Sequence, residues 1–302
     1  MSISSVIKQI GRGAKGSSDL LRDEAKVVFQ KILNQEVLPI ELGAFCIAMR
    51  IKGETTQELA GFMEAIKTDL YYLSTTRRTI VLPSYNGSRK HMNLTPLLAY
   101  VLHQLGFFVI VQGVEEFAGR LTTHEVFQAM GWPILQDRQA WPDYEHSQLP
   151  IFVPLKIIHL GLHQLLEIRH QLGLRNSGHI LAKLLNPCNT DAWQIVNYTH
   201  PEYPKILEDL FQIQGANVAL MRGSEGEPTS SLLRLPEMHF FQEGLPTFTS
   251  QEYRLESESD PFLELIDLQS HCQYLHEVIS EKRKPFMGIQ LQAQLLHQYC
   301  IG

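Results

Sequence analysis

The stretch PSYNGSRKHMNLTP, residues 83–96, follows the apolar run Thr79-Ile80-Val81-Leu82 and holds the residue types of an anion-binding loop. Ser84, Asn86, Ser88, Asn93 and Thr95 are short hydrogen-bonding side chains, and Gly87 permits close backbone approach. Arg89 and Lys90 add two adjacent cations. Between a strand and a helix, such a run aims backbone N–H groups and a helix dipole at a phosphate or carboxylate. A turn with no ligand is the plainer alternative. Arg77 and Arg78 stand just before the strand, where a cationic pair is either a solvated edge or part of the same surface. Lys8, Arg12 and Lys15 lie beside Gly11, Gly13 and Gly16, as a solvated terminus or a flexible basic arm touching phosphates. His159 and His163, four apart, have the spacing of zinc ligands on one helix face, but no third ligand accompanies them. They are read as core or cleft-wall residues. No Ser-His-Asp or Cys-His arrangement can be argued from spacing.

Charge distribution says more than net charge. The 302 residues carry a formal charge of −6, which argues weakly against a nucleic-acid partner. Residues 191–302 hold 16 acids and 7 bases, whereas residues 1–190 hold 19 bases and 16 acids. Residues 70–114 contain no Asp or Glu, and residues 146–190 contain only Glu167 against Lys156, Arg169, Arg175 and Lys183. The chain is polarised, and the loop at 83–96 falls in its basic part. With 44% hydrophobic and 19% charged residues the composition is that of a globular protein. No apolar run approaches the roughly 20 residues of a membrane helix, and the N-terminus has no cationic-then-apolar leader. Cys46, Cys188, Cys272 and Cys300 are widely spaced and are read as reduced cysteines of a cytoplasmic protein.

The elements that must position these residues follow from periodicity. Residues 17–69 read as helices: Ala25, Val28, Phe29, Ile32 and Leu33 recur at helical spacing, and LPIELGAFCIAMRIKG and TTQELAGFMEAIKTDL follow, separated by Gly53. From residue 79 two short apolar runs, TIVLPSY and FFVIVQG, flank a helical LTPLLAYVLHQLG, a strand–loop–helix–strand crossover. A capped helix is expected at 120–131, one long helical stretch at 154–175, and strands at AWQIVNYTH and NVALMRG around the helix PKILEDLFQIQ. RLESESD, residues 254–260, is read as a solvated loop, and a final helix is expected from about 262 to 281. The expected fold class is α/β. A small N-terminal all-α domain spans 1–74, with helices from about 154–180 packing on it; a large α/β domain with a mostly parallel central sheet spans 75–302.

Three stretches resemble the anthranilate phosphoribosyltransferase family, whose fold is shared with pyrimidine nucleoside phosphorylases: LGAFCIAMRIKGETTQELAGFMEAI at 42–66, the strand–loop–helix at 79–113, and RHQLGLRNSGHILAKLLNP at 169–187. The resemblance spans roughly residues 18–230 and implies a cleft between the two domains holding phosphoribosyl pyrophosphate and magnesium. Its motifs are altered here. The glycine-rich pyrophosphate turn is Pro83-Ser84-Tyr85-Asn86-Gly87-Ser88, the N-I-S-T motif is Asn93-Leu94-Thr95-Pro96, and the K-H-G-N turn is Val111-Gln112-Gly113-Val114. Pro228 and Thr229 stand where the magnesium-binding Asp and Glu belong, which leaves Glu225 and Glu227 as candidate metal ligands from shifted positions. Arg169 stands at the family's aromatic-acid-binding arginine and Arg175 is kept, so both are expected to face an anion. A helix-terminal cation is the alternative for Arg169.

This pattern is similar to a branch of the family outside the tryptophan pathway, whose members keep the fold and dimer, lack the sugar-phosphate motif and bind nucleic acid. IKQIGRGAKGSSDL and GRLTTHEVF also resemble that branch. The resemblance implies a homodimer formed through the helical domain that binds single-stranded DNA or RNA. Its contacts would be phosphate contacts from Lys8, Arg12, Lys15, Arg77, Arg78, Ser84, Asn86, Gly87, Ser88, Arg89, Lys90, Asn93, Thr95, Arg169 and Arg175, with no cofactor and no catalytic residue. The alternative is a transferase with an altered acceptor, using phosphoribosyl pyrophosphate and magnesium.

Overall fold

The computed structural model describes residues 2–13, 15–189, 191–255 and 266–300. It opens with four helices, α1 (Ile3–Ile10), α2 (Arg22–Leu33), α3 (Pro39–Lys52) and α4 (Thr56–Thr68). Ser2 caps α1 by accepting from Ser5 N–H, and Ile3, Val6 and Ile10, one helical face, are buried. The basic N-terminal segment is therefore a docked helix up to residue 10, not a flexible arm. The hydrophobic spacing legible in α2 meets α4, where the Phe29 and Phe62 rings stack at 4.5 Å. Gly61 allows that approach: a Cβ there would collide with the Arg22 carbonyl oxygen.

The rest of the chain builds a sheet with helices on both faces. Five strands run parallel: β1 (Thr79–Ser84), β2 (Phe108–Gly113), β3 (Ile151–Pro154), β4 (Trp193–Tyr198) and β5 (Val218–Arg222). β6 (Arg234–Leu235) leaves the sheet to pair with β9 (Tyr253–Arg254), while β7 (Met238–Gln242) and β8 (Leu245–Thr249) add an antiparallel edge. The strand order is β3-β2-β1-β4-β5-β7-β8. β1, β2 and β3 are buried along their whole length, as parallel strands covered on both faces must be.

Side-chain alternation divides the interior. Val81, Ile110, Val196 and Leu220 join one continuous core with α1–α4. The same core takes in α8 (Leu155–Ile158), α9 (Leu160–Glu167), α11 (Gly178–Lys183) and α12 (Tyr203–Gln214). Ile80, Leu82, Val109 and Val111 face α5 (Thr95–Gln104), α6 (Thr123–Met130), α13 (Leu268–Ile279) and α14 (Met287–Tyr299). Two one-turn helices, α7 (Trp141–Tyr144) and α10 (Arg169–Leu172), complete the described elements.

The helical stretch expected at 154–175 is broken. His159 leaves helical geometry at φ −156°, ψ 93°; its Nδ1 accepts from Leu162 N–H to cap α9, and its Nε2 faces the Ile66 carbonyl at 3.1 Å. Gly173, at φ +69°, ends α10. His159 is thus a buried cap rather than a member of a metal pair. The helix expected from about 262 to 281 is α13, and a further helix that was not expected, α14, follows it beyond Pro285. Residues 256–260 of the acidic loop and 262–265 of the expected helix lie outside the described residues. No helix among the described residues is long and apolar enough to cross a membrane.

Candidate functional site

The parallel strands deliver their C-terminal ends, and the loops that follow them, to one edge of the sheet. β1 and β4 are neighbours whose chains leave in opposite directions, the switch point at which open α/β sheets form a crevice. The loop after β1 is an anion nest, and its anion belongs to the protein. Glu227 Oε1 accepts from the backbone N–H groups of Asn86 and Gly87 at 2.8 and 2.9 Å. Its Oε2 accepts from the Ser84 hydroxyl at 2.5 Å and the Thr95 hydroxyl at 3.1 Å. Glu227 is 3% exposed. Beside it, the Glu225 carboxylate accepts from the backbone N–H groups of Arg89, Lys90 and His91, each at 3.0 Å, and lies 3.6 Å from Arg120 Nη1.

The turn carrying both acids is shaped for this docking. Glu225 and Gly226 adopt positive φ of 50° and 87°, and a Cβ on Gly226 would come within 2.6 Å of Asn86 Nδ2, which donates to the Gly226 carbonyl at 2.7 Å. Asn93 closes the nest from the helix side: its Oδ1 accepts from Thr95 N–H, its Nδ2 donates to Leu121 O and Thr123 Oγ1, and its own N–H donates to His271 Nε2. Ser88 pairs through its backbone with Leu121, and its buried hydroxyl has no partner among the described residues.

The donor chemistry decides the metal expectation. A magnesium ligand must present a carboxylate oxygen to the ion. Both Glu227 oxygens and both Glu225 oxygens already accept two N–H or O–H bonds or a cation, so these residues do not fit a magnesium site in this arrangement. Gln112 and Gly113, in the altered cationic turn, are also structural. Gln112 Nε2 donates to the Leu185 carbonyl, and a Cβ on Gly113 would collide with Ser84 O.

The cations divide into three groups. Arg89 and Lys90 are exposed, and among the described residues only their backbone groups are engaged. Arg169, Arg120 and Arg175 gather round the half-buried Phe117 ring at 3.9, 5.4 and 5.9 Å from its centroid. Burial and then mutual repulsion lower the pKa of Arg169 and Arg175, a sign that cations outnumber anions there. Arg175 also donates to Asn86 Oδ1, which ties this cluster to the nest.

Arg77 and Arg78 are placed elsewhere. They stand at the opposite end of β1, roughly 16 Å from the loop along a six-residue strand. Arg77 donates to the carbonyls of Glu145 and Ser147 over the Phe108 ring, and Arg78 to those of His297 and Cys300 over Phe107. They are structural clamps, a role that their acid-free surroundings in the sequence did not foretell. Lys8, Arg12 and Lys15 are exposed, and Lys8 and Arg12 line a groove with Ile7, Ile47 and Ile51 rather than joining the loop.

Lys183 was not singled out from sequence, yet it completes the site. Its Nζ donates to Gly226 O at 2.7 Å, beneath the glutamate turn, and its pKa is lowered to about 8, chiefly by burial. His179, one turn earlier, is lowered to about 3 by burial and by Arg175. A histidine kept neutral in the folded state contributes stability above its ordinary pKa of 6.5 and loses it as pH falls toward 3. Thermal melts over that window are expected to show His179→Gln losing less stability than the parent, by on the order of a few kcal/mol. Parallel curves would contradict it.

The comparisons with known proteins follow the same outline. Residues 4–68 match the helical bundle domain of a glycosyl transferase family. Protein YbiB of Escherichia coli (strain K12) is 39% identical over 262 residues, covering 85% of this chain and 82% of that one. The chain belongs to the YbiB family. Beyond YbiB itself, the anthranilate phosphoribosyltransferase of Sulfurisphaera tokodaii is 21% identical over 68% of this chain and 59% of its own. The structure of the Thermus thermophilus anthranilate phosphoribosyltransferase superposes with a TM-score of 0.77 at 19% identity, over 97% of this chain and 88% of that one. The Saccharomyces cerevisiae enzyme, solved with PRPP and Mg, gives 0.78 at 14% identity over 99% and 88%. This YbiB-family chain therefore has the anthranilate phosphoribosyltransferase fold, with a small helical domain and a large α/β domain.

Proposed function

We propose that this protein has set aside phosphoribosyl transfer and binds the phosphates of single-stranded nucleic acid. The observation that carries the reading is the Glu227 carboxylate seated in the nest after β1 while the cations around it keep free faces. A pyrophosphate would have to displace that carboxylate, whereas a polyanion needs only Arg89 and Lys90 on the loop and Arg120, Arg169 and Arg175 at Phe117. Guanidinium groups and a half-buried ring suit phosphates and stacked bases with little base reading. A homodimer would present two such faces to one strand. Its support is the stripe Ile40, Ala44, Ile47 and Ile51 along α3, with Ile40 79% and Ile51 74% exposed, a heptad-like face that needs a partner. Sedimentation of the purified protein as a monomer at micromolar concentration would remove the dimer.

The test is fluorescence anisotropy of a labelled single strand across salt concentrations. Binding is expected to weaken steeply with salt, and Arg89→Ala/Lys90→Ala is expected to shallow the log–log slope by roughly 1.4, from about 0.7 per phosphate contact on a single strand. Absence of binding at low salt refutes the reading. A thermal shift produced by phosphoribosyl pyrophosphate only with magnesium would favour the transferase alternative instead.

A further inference from the structure

At the C-terminal end of β4, between the helical domain and the glutamate turn, lies a cleft of about 350 Å³ whose lining includes Arg50, Arg175, Lys183, Asn197, Tyr198 and Tyr203. Its size falls in the range of small-ligand sites. Asn197 is 4% exposed, yet neither its amide oxygen nor its amide nitrogen has a hydrogen-bond partner among the described residues. Two unpaired polar atoms on one buried side chain are costly and uncommon, and ask for a partner that offers a donor beside an acceptor. Gly223 keeps the backbone clear beside that amide: a Cβ there would lie 2.6 Å from Asn197 Nδ2. The rest of the lining is of two kinds. Arg50, Arg175 and Lys183 supply positive charge, and Arg50 also donates to the Arg175 carbonyl. Tyr198, His200 and Tyr203 supply ring faces, with Tyr203 held by its hydroxyl on Glu54 at 3.4 Å.

We propose that this cleft receives one nucleotide of the bound strand, its base turned out of the stack, with Asn197 reading the base edge. The inference rests on the nucleic-acid reading above and goes further, because it assigns a base-dependent contact to a surface otherwise expected to hold phosphates alone. A base edge carries adjacent donor and acceptor groups, as in the pairing of an asparagine amide with adenine N6 and N7. The rings offer stacking surfaces, and the cations neutralise the flanking phosphates. Arg175 belongs to both the cleft lining and the cluster at Phe117, so a strand tracking that cluster is led to the cleft mouth.

The experiment compares two labelled strands of about a dozen positions, one of adenine nucleotides and one of abasic spacers, bound to the full chain. The parent protein is expected to prefer the adenine strand by about five-fold or more. Asn197→Leu is expected to reduce that preference while leaving abasic affinity unchanged and the melting temperature no lower than the parent's, since the amide has no hydrogen-bond partner among the described residues. Asn197→Ala serves as the second variant should leucine crowd the cleft. Arg89→Ala/Lys90→Ala is expected to weaken both strands equally. Equal binding of the two strands by the parent, or an adenine preference unaltered in both Asn197 variants, overturns this inference and leaves the nucleic-acid reading standing. Binding to neither strand overturns both.

Discussion

Glu227→Ala is expected to destabilise the protein by about 3 kcal/mol or more, and millimolar phosphate or sulfate is expected to restore part of the loss. The substitution leaves the N–H groups of Asn86 and Gly87 and the hydroxyls of Ser84 and Thr95 facing a buried hollow without their acceptor. Each unsatisfied buried donor costs about 1–3 kcal/mol, and an anion that binds only the folded state returns about 2.7 kcal/mol at a hundred times its Kd. The parent protein, with its nest filled from within, should show no such anion response. Glu227→Gln separates charge from shape: it keeps an acceptor oxygen but turns an NH2 group toward two donors, so it should fall between parent and alanine. Thermal melts with and without phosphate measure all three. An alanine variant as stable as the parent and indifferent to anions would mean that the carboxylate does not fill the nest.

The second large effect lies in the helical domain, at the motif spelled Lys52-Gly53-Glu54-Thr55-Thr56-Gln57-Glu58. Glu58 is fully buried and accepts from Leu20 N–H, Thr55 N–H, the Thr55 hydroxyl and Lys52 Nζ. Lys52, 6% exposed in its side chain, also reaches Asp19 at 2.8 Å. Burial acts to lower its pKa, and the bonds to Asp19 and Glu58 outweigh burial and raise it. Removing Lys52 strands the Glu58 charge in the interior, at a cost of about 3–5 kcal/mol, and removing the Glu58 charge leaves Lys52 with only the exposed Asp19 carboxylate as its counter-ion. Glu58→Gln and Lys52→Met are each expected to be severe, and the double variant less severe than their sum by roughly 0.5–3 kcal/mol. Denaturant melts of the four proteins test this; strict additivity would show that the two side chains act independently.

Physical locality explains how much was legible in the sequence. The boundary between α3 and α4 at Gly53 was legible because its signals close within a few residues: Thr55 caps α4 and Glu58 returns to the Thr55 backbone. The crossover through β1, α5 and β2 was legible because strands buried on both faces are written as unbroken apolar runs. β3 was missed because four residues are too few to show a period. The continuous apolar pattern at 154–175 concealed the break at His159, whose imidazole caps the next helix in place of a serine or threonine. The loop after β1 was read as a site for a bound phosphate, and the Glu227 carboxylate that fills it was not foreseen, since Glu227 lies 141 residues from Asn86. The available signal was a glycine between two glutamates in a segment that should have held a metal, facing a loop that had lost its own acid.

Arg78 carries a consequence for how the chain is made. Its guanidinium donates to carbonyls 219 and 222 residues further on, and the same stretch, α14, supplies Ile289, Ala293 and Leu296 to the face of the sheet that includes Val109 and Val111. A ribosome adding roughly 5–20 residues per second needs on the order of 10–40 s to cover that distance. Throughout that interval the face that carries Val109 and Val111 has α5 and α6 upon it but lacks α13 and α14, so part of its apolar surface waits on helices synthesised much later.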